Sequence, residues 1–415
     1  MSDDATQPDG APPSRGRGGG ALRRAVGALG ALGCAVSVLV WAIGALLSDR
    51  AHWSQYAAWV PTWASLGGAG VLWGVWGFAR RAGSRWERAT GRPRRRRAWG
   101  LYAFALVIAA GLAWMVVVEW RVPRGFVTHA TSPRGARVLV WNPSWERMSA
   151  FHARLLEHDP DVVLVSNPHP HADWSALHAG MGDRTYALRQ GMLVVVSRFP
   201  IRRFGWTGLR VAPEPGRPSW WKAPRTSASG GEALFVQLDA PALTGNTPGA
   251  FDAVAPPAPL TIWFVDLPSD MWIHRERMLR EARRAIDAFR GPVLRRSDDG
   301  LDVPEQTLRL GPLLPGGGLT VDGAEPAAGF PPPDLVVGDL NTPRGSRSLR
   351  HLGAGLTHAH DQAGLGPGVT YPRPLPVVAI DHVFVGPRLR AARFLTADLG
   401  VSRHLAQVVD VEAAN

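Results

Sequence analysis

The sequence predicts an α/β domain preceded by three transmembrane helices. Three early segments are apolar and uncharged over a membrane-crossing length. Beyond Arg137, short apolar runs alternate with stretches of helical periodicity. The excess of basic residues is confined to the part of the chain that holds the apolar segments.

The first stretch, through about Gly20, is rich in Gly, Pro, Asp and Ser and lacks apolar periodicity, so residues 1–24 read as a disordered cytoplasmic tail. Ala25 to Ser48, Trp53 to Ala79 and Ala98 to Val118 contain no Asp, Glu, Lys or Arg, and each exceeds the ~18 apolar residues expected of a spanning helix. Residues 25–120 are thus expected to form a three-span anchor. A cleaved signal peptide is the rival for the first segment, but that segment is longer than the ~7 to 15 residues of a signal core, and two more follow.

Arginine placement sets the expected orientation, because short Arg-rich loops stay in the cytoplasm. Arg15, Arg17, Arg23 and Arg24 precede the first segment, and the stretch from Arg80 to Arg97 between the second and third holds nine arginines against Glu87. The first connection offers Asp49, Arg50 and His52. The N-terminus is therefore placed inside, and a domain over residues 126–415 outside the cell membrane.

Composition excludes several classes of protein. Of 46 Lys+Arg and 34 Asp+Glu, 16 arginines and six acids lie at or before Arg124, which leaves 30 basic and 28 acidic residues beyond it. The later domain is nearly neutral, which argues against nucleic acid as a partner, since tracking a polyphosphate needs clustered cations. Cys34 is the only cysteine, so neither an internal disulfide nor a cysteine metal site is possible within one chain. Many of the 18 tryptophans lie in or beside the apolar segments, where they suit the headgroup boundary or fill cores.

In the later domain the expected strands are Ala136 to Trp141, Asp161 to Ser166, Gly191 to Ser197, Ala233 to Leu238, Leu260 to Val265, Leu335 to Val337 and Ala379 to Val385. Trp272 to Phe289 is the clearest helix, with Met278, Leu279, Ala282 and Ile286 on one face. Two Pro/Gly-rich connections, about Ala240 to Pro259 and Gly291 to Pro333, read as surface insertions.

Several segments carry chemistry, and their order matters more than any one of them. The first strand ends Val-Trp-Asn at Asn142, and Asp159-Pro-Asp-Val-Val-Leu follows after a helix. Ser197-Arg-Phe-Pro-Ile comes next, then Gly338-Asp-Leu-Asn, then Thr370-Tyr-Pro and Ala379-Ile-Asp-His-Val-Phe-Val, and finally Ser402-Arg-His. In this order and spacing they resemble the endonuclease/exonuclease/phosphatase family, the DNase I-like superfamily. The resemblance spans the whole later domain. It implies a four-layer α/β sandwich, with the catalytic loops gathered at one end.

The resemblance also implies water attack on a phosphate ester. A general base needs an imidazole held by a carboxylate that stabilises the imidazolium, and His404 and Asp381 fill those roles by resemblance. Asp339 would align the water, with Asn341 beside it. A divalent cation, Mg²⁺ or Mn²⁺, prefers hard oxygen ligands, which by resemblance come from Asp339, Asp381 and position 167. Asn142 would contact phosphate.

Three positions depart from the family pattern. A metal-ligating Glu is replaced by Asn167, which weakens the attraction for a cation. A histidine is replaced by Asp266, and the Asp of the last motif by Arg403, a cation able to pair with phosphate bidentately. Three readings follow: an active enzyme with a weakened or rearranged metal site, a binder of phosphorylated ligands with Arg403 supplying charge, or a new transition-metal site in which His169 and His171 join Asp339.

Two further features have both functional and plain readings. Trp220-Trp-Lys222 fits either a dip into the outer leaflet or a packed loop corner. The run Arg94 to Arg97 fits recruitment of a cytoplasmic partner, or topology and anionic lipid alone. Three spans before a domain of this kind are similar to the bacterial membrane proteins associated with teicoplanin resistance. That similarity implies a lipid-linked or small phosphate ester as substrate and the membrane as partner.

Overall fold

The structure, a computed structural model, describes residues 18–89, 99–126, 135–146, 151–172, 174–182, 185–211, 230–240, 243, 259–291, 293–296, 319–321 and 329–414. Residues 1–17, Arg94 to Arg97, Trp220-Trp-Lys222 and most of both insertions lie outside the described residues, whereas residues 18–24, expected in the disordered tail, open the first helix. The chain divides into two compact units, one of residues 1–41 and 62–113, the other of residues 42–61 and 114–415.

The opening helices are α1 (Gly18–Leu46), α2 (His52–Ala58), α3 (Thr62–Ala89) and α4 (Trp99–Trp114), the last continued by a π-helical turn at Met115–Glu119. In the first unit Cys34, Ala69 and Ile108 are buried, with Val38, Leu72, Trp73, Phe104 and Leu112 packed around them. Close approach depends on small residues: a Cβ on Gly111 would collide with Leu66. The outward faces carry exposed Leu29, Leu32, Leu39, Val71, Phe78 and Leu106.

Among the described residues two helices, not three, are long and apolar enough to cross a membrane: Ala21–Leu46, with mean hydropathy 2.2, and Trp99–Glu119, with 2.4. This corrects the expectation for Trp53 to Ala79. That segment is broken between α2 and α3, its helical part is diluted by glycine and tryptophan, and α3 ends in Arg80, Arg81, Arg85 and Arg88.

The second unit is built on strands. β1 (Ala136–Trp141), β2 (Val162–Ser166), β3 (Tyr186–Gln190) and β4 (Leu193–Ser197) come first. Next are β5 (Ile201–Leu209), β6 (Gly231–Leu238), β7 (Leu260–Asp266), β8 (Leu294–Arg296), β9 (Leu319–Val321) and β10 (Leu335–Asp339). β11 (Thr357–His358), β12 (Asp381–Val385), β13 (Leu389–Ala397) and β14 (Ala406–Ala413) complete them. One sheet has six strands in the order β13-β14-β1-β2-β4-β3, the other eight in the order β11-β12-β10-β7-β6-β5-β8-β9. β1 and β2 run parallel, as do β7 and β10, while β12 and β14 run antiparallel to β10 and β1.

Side-chain alternation explains the layering. Val138 and Val140 of β1 pack with Val236, Ile262 and Val337 in a core between the sheets. Leu139 and Trp141 face the other way, against Phe151, Leu155 and Leu177; these come from α5 (Phe151–Leu156) and α6 (Ser175–Met181). On the far side, Phe235, Trp263 and Val265 pack against Met278, Leu279, Ala282 and Ile286 of α7 (Arg275–Asp287). Both faces of each central strand are buried, so the sequence there is nearly continuous apolar residues. The result is a four-layer α/β sandwich.

The second unit also includes the connection between α1 and α3. Asp49, 1% exposed, accepts the Ser348 amide at 3.2 Å and the Ser348 hydroxyl. Gln55 donates to the Met271 carbonyl at 3.1 Å and accepts the Arg275 amide at 3.0 Å. Trp59 stacks on the Arg275 guanidinium, 5.6 Å from ring to carbon. The segment after α4 is tied down as well, with the Glu119 carbonyl accepting from Arg344 at 2.9 Å and the Trp120 carbonyl from the Gly366 amide at 2.7 Å.

Candidate active site

Parallel strands put their carboxyl ends on one side of a sheet, and the antiparallel neighbours begin there. Asn142 follows β1, Asn167 follows β2, Asp266 ends β7, Asp339 ends β10, Asp381 opens β12 and His404 precedes β14. All six therefore gather at one end of the sandwich. Asp339 and Asp381 face each other as partners in the β10–β12 register.

The side chains interlock. Asn142 donates to Asp339 Oδ2 at 2.8 Å, and the Asn341 amide donates to Asp339 Oδ1 at 2.9 Å. The Asn341 carboxamide donates to the Leu267 carbonyl at 2.7 Å. His404 Nδ1 lies 2.9 Å from Asp381 Oδ2 and 3.9 Å from Asp339 Oδ2. A carboxylate only accepts, so Nδ1 is the protonated nitrogen and Nε2 is left for chemistry. The ring is held further by Tyr371, 4.8 Å between centroids, and the Ser402 hydroxyl accepts the His404 amide at 2.9 Å.

Burial and charge then set the protonation. Burial opposes a charged His404, but the Asp381 carboxylate outweighs it, and with Asp339 and Asp266 raises the ring to about 9. Burial, then the charge of Asp381, pushes Asp339 up to about 7. Burial, with the charges of Asp339 and Glu232, raises Asp266 well above the usual carboxylate range. Buried carboxylates in excess of cations fit a missing positive charge. Among the described residues Asp339, Asp381 and His404 form a donor group whose ligand atoms lie within 4.8 Å of one another. With the nearby carboxamides, this hard-oxygen set fits a divalent cation.

The structure separates the departures from one another. Asn167 donates to Asp266 Oδ1 at 2.8 Å, so two of the altered positions bond to each other. Arg403 is exposed and sits 5.0 Å over the Tyr371 ring, at the rim. The φ of +72° at Ser402 starts a turn that buries His404 and turns Arg403 out to the rim. His169 and His171 pair with each other, ring centroids 5.6 Å apart, and do not belong to the donor group, so the reading that adds them to Asp339 is not carried by the geometry.

Some residues near the site were not marked by the motifs. Arg275 is fully buried, and burial brings its guanidinium down to about 10 against the pull of Asp339, Asp270 and Asp49. It donates to the Pro268 carbonyl at 3.0 Å, while Nε and Nη2 lack partners among the described residues. Behind Asp381, His358 and His382 share a 3.0 Å contact, and His382 Nε2 donates to the Thr342 carbonyl at 2.7 Å. Burial keeps both rings neutral, His382 at about 4. A lone arginine opening a helix gives no sequence signal, whereas His382 sits inside a motif.

A two-sheet sandwich with carboxylates, carboxamides and one imidazole at the strand ends is an arrangement that fits metal-assisted hydrolysis. The model of the endonuclease/exonuclease/phosphatase family matches residues 141–404, from Trp141 at the end of β1 to His404, and the chain belongs to that family. Its members act on phosphate esters.

Solved structures similar to it include a conserved protein of unknown function from Enterococcus faecalis, at 14% identity over 67% of this chain and 100% of that one, with a TM-score of 0.40. Others are an endonuclease/exonuclease/phosphatase from Beutenbergia cavernae (16%, 68% and 72%, 0.39) and a mannosyl-6-phosphatase from Bacteroides thetaiotaomicron (13%, 66% and 99%, 0.39). No curated protein matches the chain.

Proposed function

We propose that the chain is a membrane-tethered phosphoesterase that hydrolyses a lipid-linked or small phosphate ester on the extracytoplasmic face. The Asp381–His404 pair beside Asp339 carries this reading. In the proposed mechanism Asp381 fixes the His404 ring, Asp339 aligns the attacking water, Asn341 orients metal or phosphate, and His404 Nε2 takes the water's proton from the neutral form of the ring, whose share grows as pH rises toward about 9. Asn142 contacts the phosphate. Asp339 and Asp381, with carboxamide oxygens nearby, would hold Mg²⁺ or Mn²⁺, which when bound would neutralise charge on the phosphoryl oxygens.

The tether rests on several observations. Only 17% of each candidate spanning window is buried, unlike the core helix of a soluble protein. Ala21–Leu46 and Trp99–Glu119 both hand the chain to the second unit, so across a bilayer they end on one side. Reading the arginine-rich stretch between them as cytoplasmic requires α3, which packs on both apolar helices through Ala69, to return the chain across the bilayer. The loops leaving β7 and β10, which bear the site, are also the ones bonded to Asp49, Gln55 and Glu119. That arrangement favours a substrate presented from the bilayer surface.

The full chain in detergent micelles is expected to release phosphate from a polyprenyl phosphate or pyrophosphate with Mg²⁺ or Mn²⁺, and His404→Ala to lower turnover by at least about a hundredfold. A second reading, a phosphate-ester binder with impaired catalysis, is favoured by the Asn167–Asp266 hydrogen bond. Saturable ligand binding without turnover in either metal would establish it.

A further inference from the structure

Arg50, Glu276, Arg347 and Arg350 line an open cleft of about 270 Å³. This is below the ~300–1,000 Å³ of pockets that enclose whole small molecules, and suits a headgroup. Glu276 is already engaged, 3.2 Å from Arg350 and 2.8 Å from His351. Arg50 and Arg347 are exposed and have no acidic partner among the described residues. Three guanidiniums therefore face one carboxylate that is in use.

The cleft is held at a fixed place in the chain. The Arg347 amide donates to the Ser48 hydroxyl at 3.1 Å, and Asp49, beneath the cleft, holds Ser348 while its carbonyl meets His274 at 2.9 Å. Arg50 lies four residues past the end of the apolar helix Ala21–Leu46, at most ~14 Å of extended chain. Trp53, 60% exposed, is an aromatic residue of the kind found at the headgroup level. A guanidinium offers phosphate two parallel donors.

We propose that the cleft binds the phosphate of an anionic glycerophospholipid in the leaflet where Ala21–Leu46 ends, a site separate from the Asp339–Asp381–His404 centre. The inference rests on the membrane reading above. The full chain, expressed in cells, is first tested for retention in carbonate-washed membranes; release would overturn the membrane reading itself.

In a neutral detergent, native mass spectrometry then counts lipids retained during titration with phosphatidylglycerol or phosphatidylcholine. Wild type is expected to hold one phosphatidylglycerol that Arg50→Gln/Arg347→Gln binds at least about tenfold more weakly, with no difference for phosphatidylcholine. Neutralising Arg94 to Arg97 should leave that lipid in place. The single variant Arg50→Gln gives a smaller loss in the same direction if the double variant misfolds. Equal retention by wild type and variants would overturn the proposal, as would displacement of the lipid by an equal concentration of inorganic phosphate, which would mark a plain anion site.

Discussion

At the residue scale the site is a balance of charges, and pH should expose it. His404 titrates at about 9 in the folded chain against 6.5 unfolded. Its pairing with Asp381 therefore stabilises fully below about pH 6.5 and fades as pH rises through 9. Asp339, raised from 3.8 to about 7, loses its share between those values. With a chelator present, the apparent Tm is expected to fall from pH 6.5 to 9, and His404→Ala to flatten that segment; Mn²⁺ should restore the loss. Asn167→Glu tests the altered metal position. It should tighten Mn²⁺ by about tenfold through added charge, read by calorimetry, even though the φ of +49° makes Glu less comfortable there than Asn.

Sequence reading reached this scale unevenly. Asn142, Asp339, Asp381 and His404 were legible through the family motifs that carry them, and the structure shows that these motifs lie at converging strand ends. The Asn167–Asp266 bond was not, since it joins residues 99 apart across two sheets. Nor was the outward turn of Arg403, which depends on one backbone angle at Ser402.

At the element scale, β1, β2, β4, β6, β7, β10 and β12 were readable as apolar runs because both their faces are covered. β5 and β13 were not: Arg202, Arg390 and Arg393 interrupt their pattern on exposed faces. α7 was found by its single apolar stripe, whereas Trp53 to Ala79 was misjudged because uncharged composition hid a break at Trp59–Pro61. Gly338 is the strictest local requirement. Its φ is +129°, and a Cβ there would collide with the Val265 carbonyl oxygen of the neighbouring strand. Gly338→Ala is expected to cost at least ~2 kcal/mol and to lower the yield of folded chain, measured by chemical denaturation. It should also displace Asp339.

At the scale of the whole molecule, the second unit is not obtained by cutting at Phe126, because it includes residues 42–61. Asp49→Ala should leave the Ser348 donors buried without a partner and destabilise the second unit by about 1–3 kcal/mol. Limited proteolysis of the full chain should then show faster cleavage between Leu47 and Pro61. A reporter fused after Asn415 is expected to be active only outside the cytoplasm.

The Asp49–Ser348 contact joins residues 299 apart. At ~5–20 residues per second, a ribosome needs roughly 15 to 60 s to travel between them. Under the proposed topology, the short connection after the first apolar helix waits through that interval on the far side of the bilayer for the surface it will complete. Maturation of the domain thereby becomes a timed check on translocation. A chain whose first helix enters the wrong way round has its missing piece on the other side, and it is left with an open seam for quality-control proteases to find.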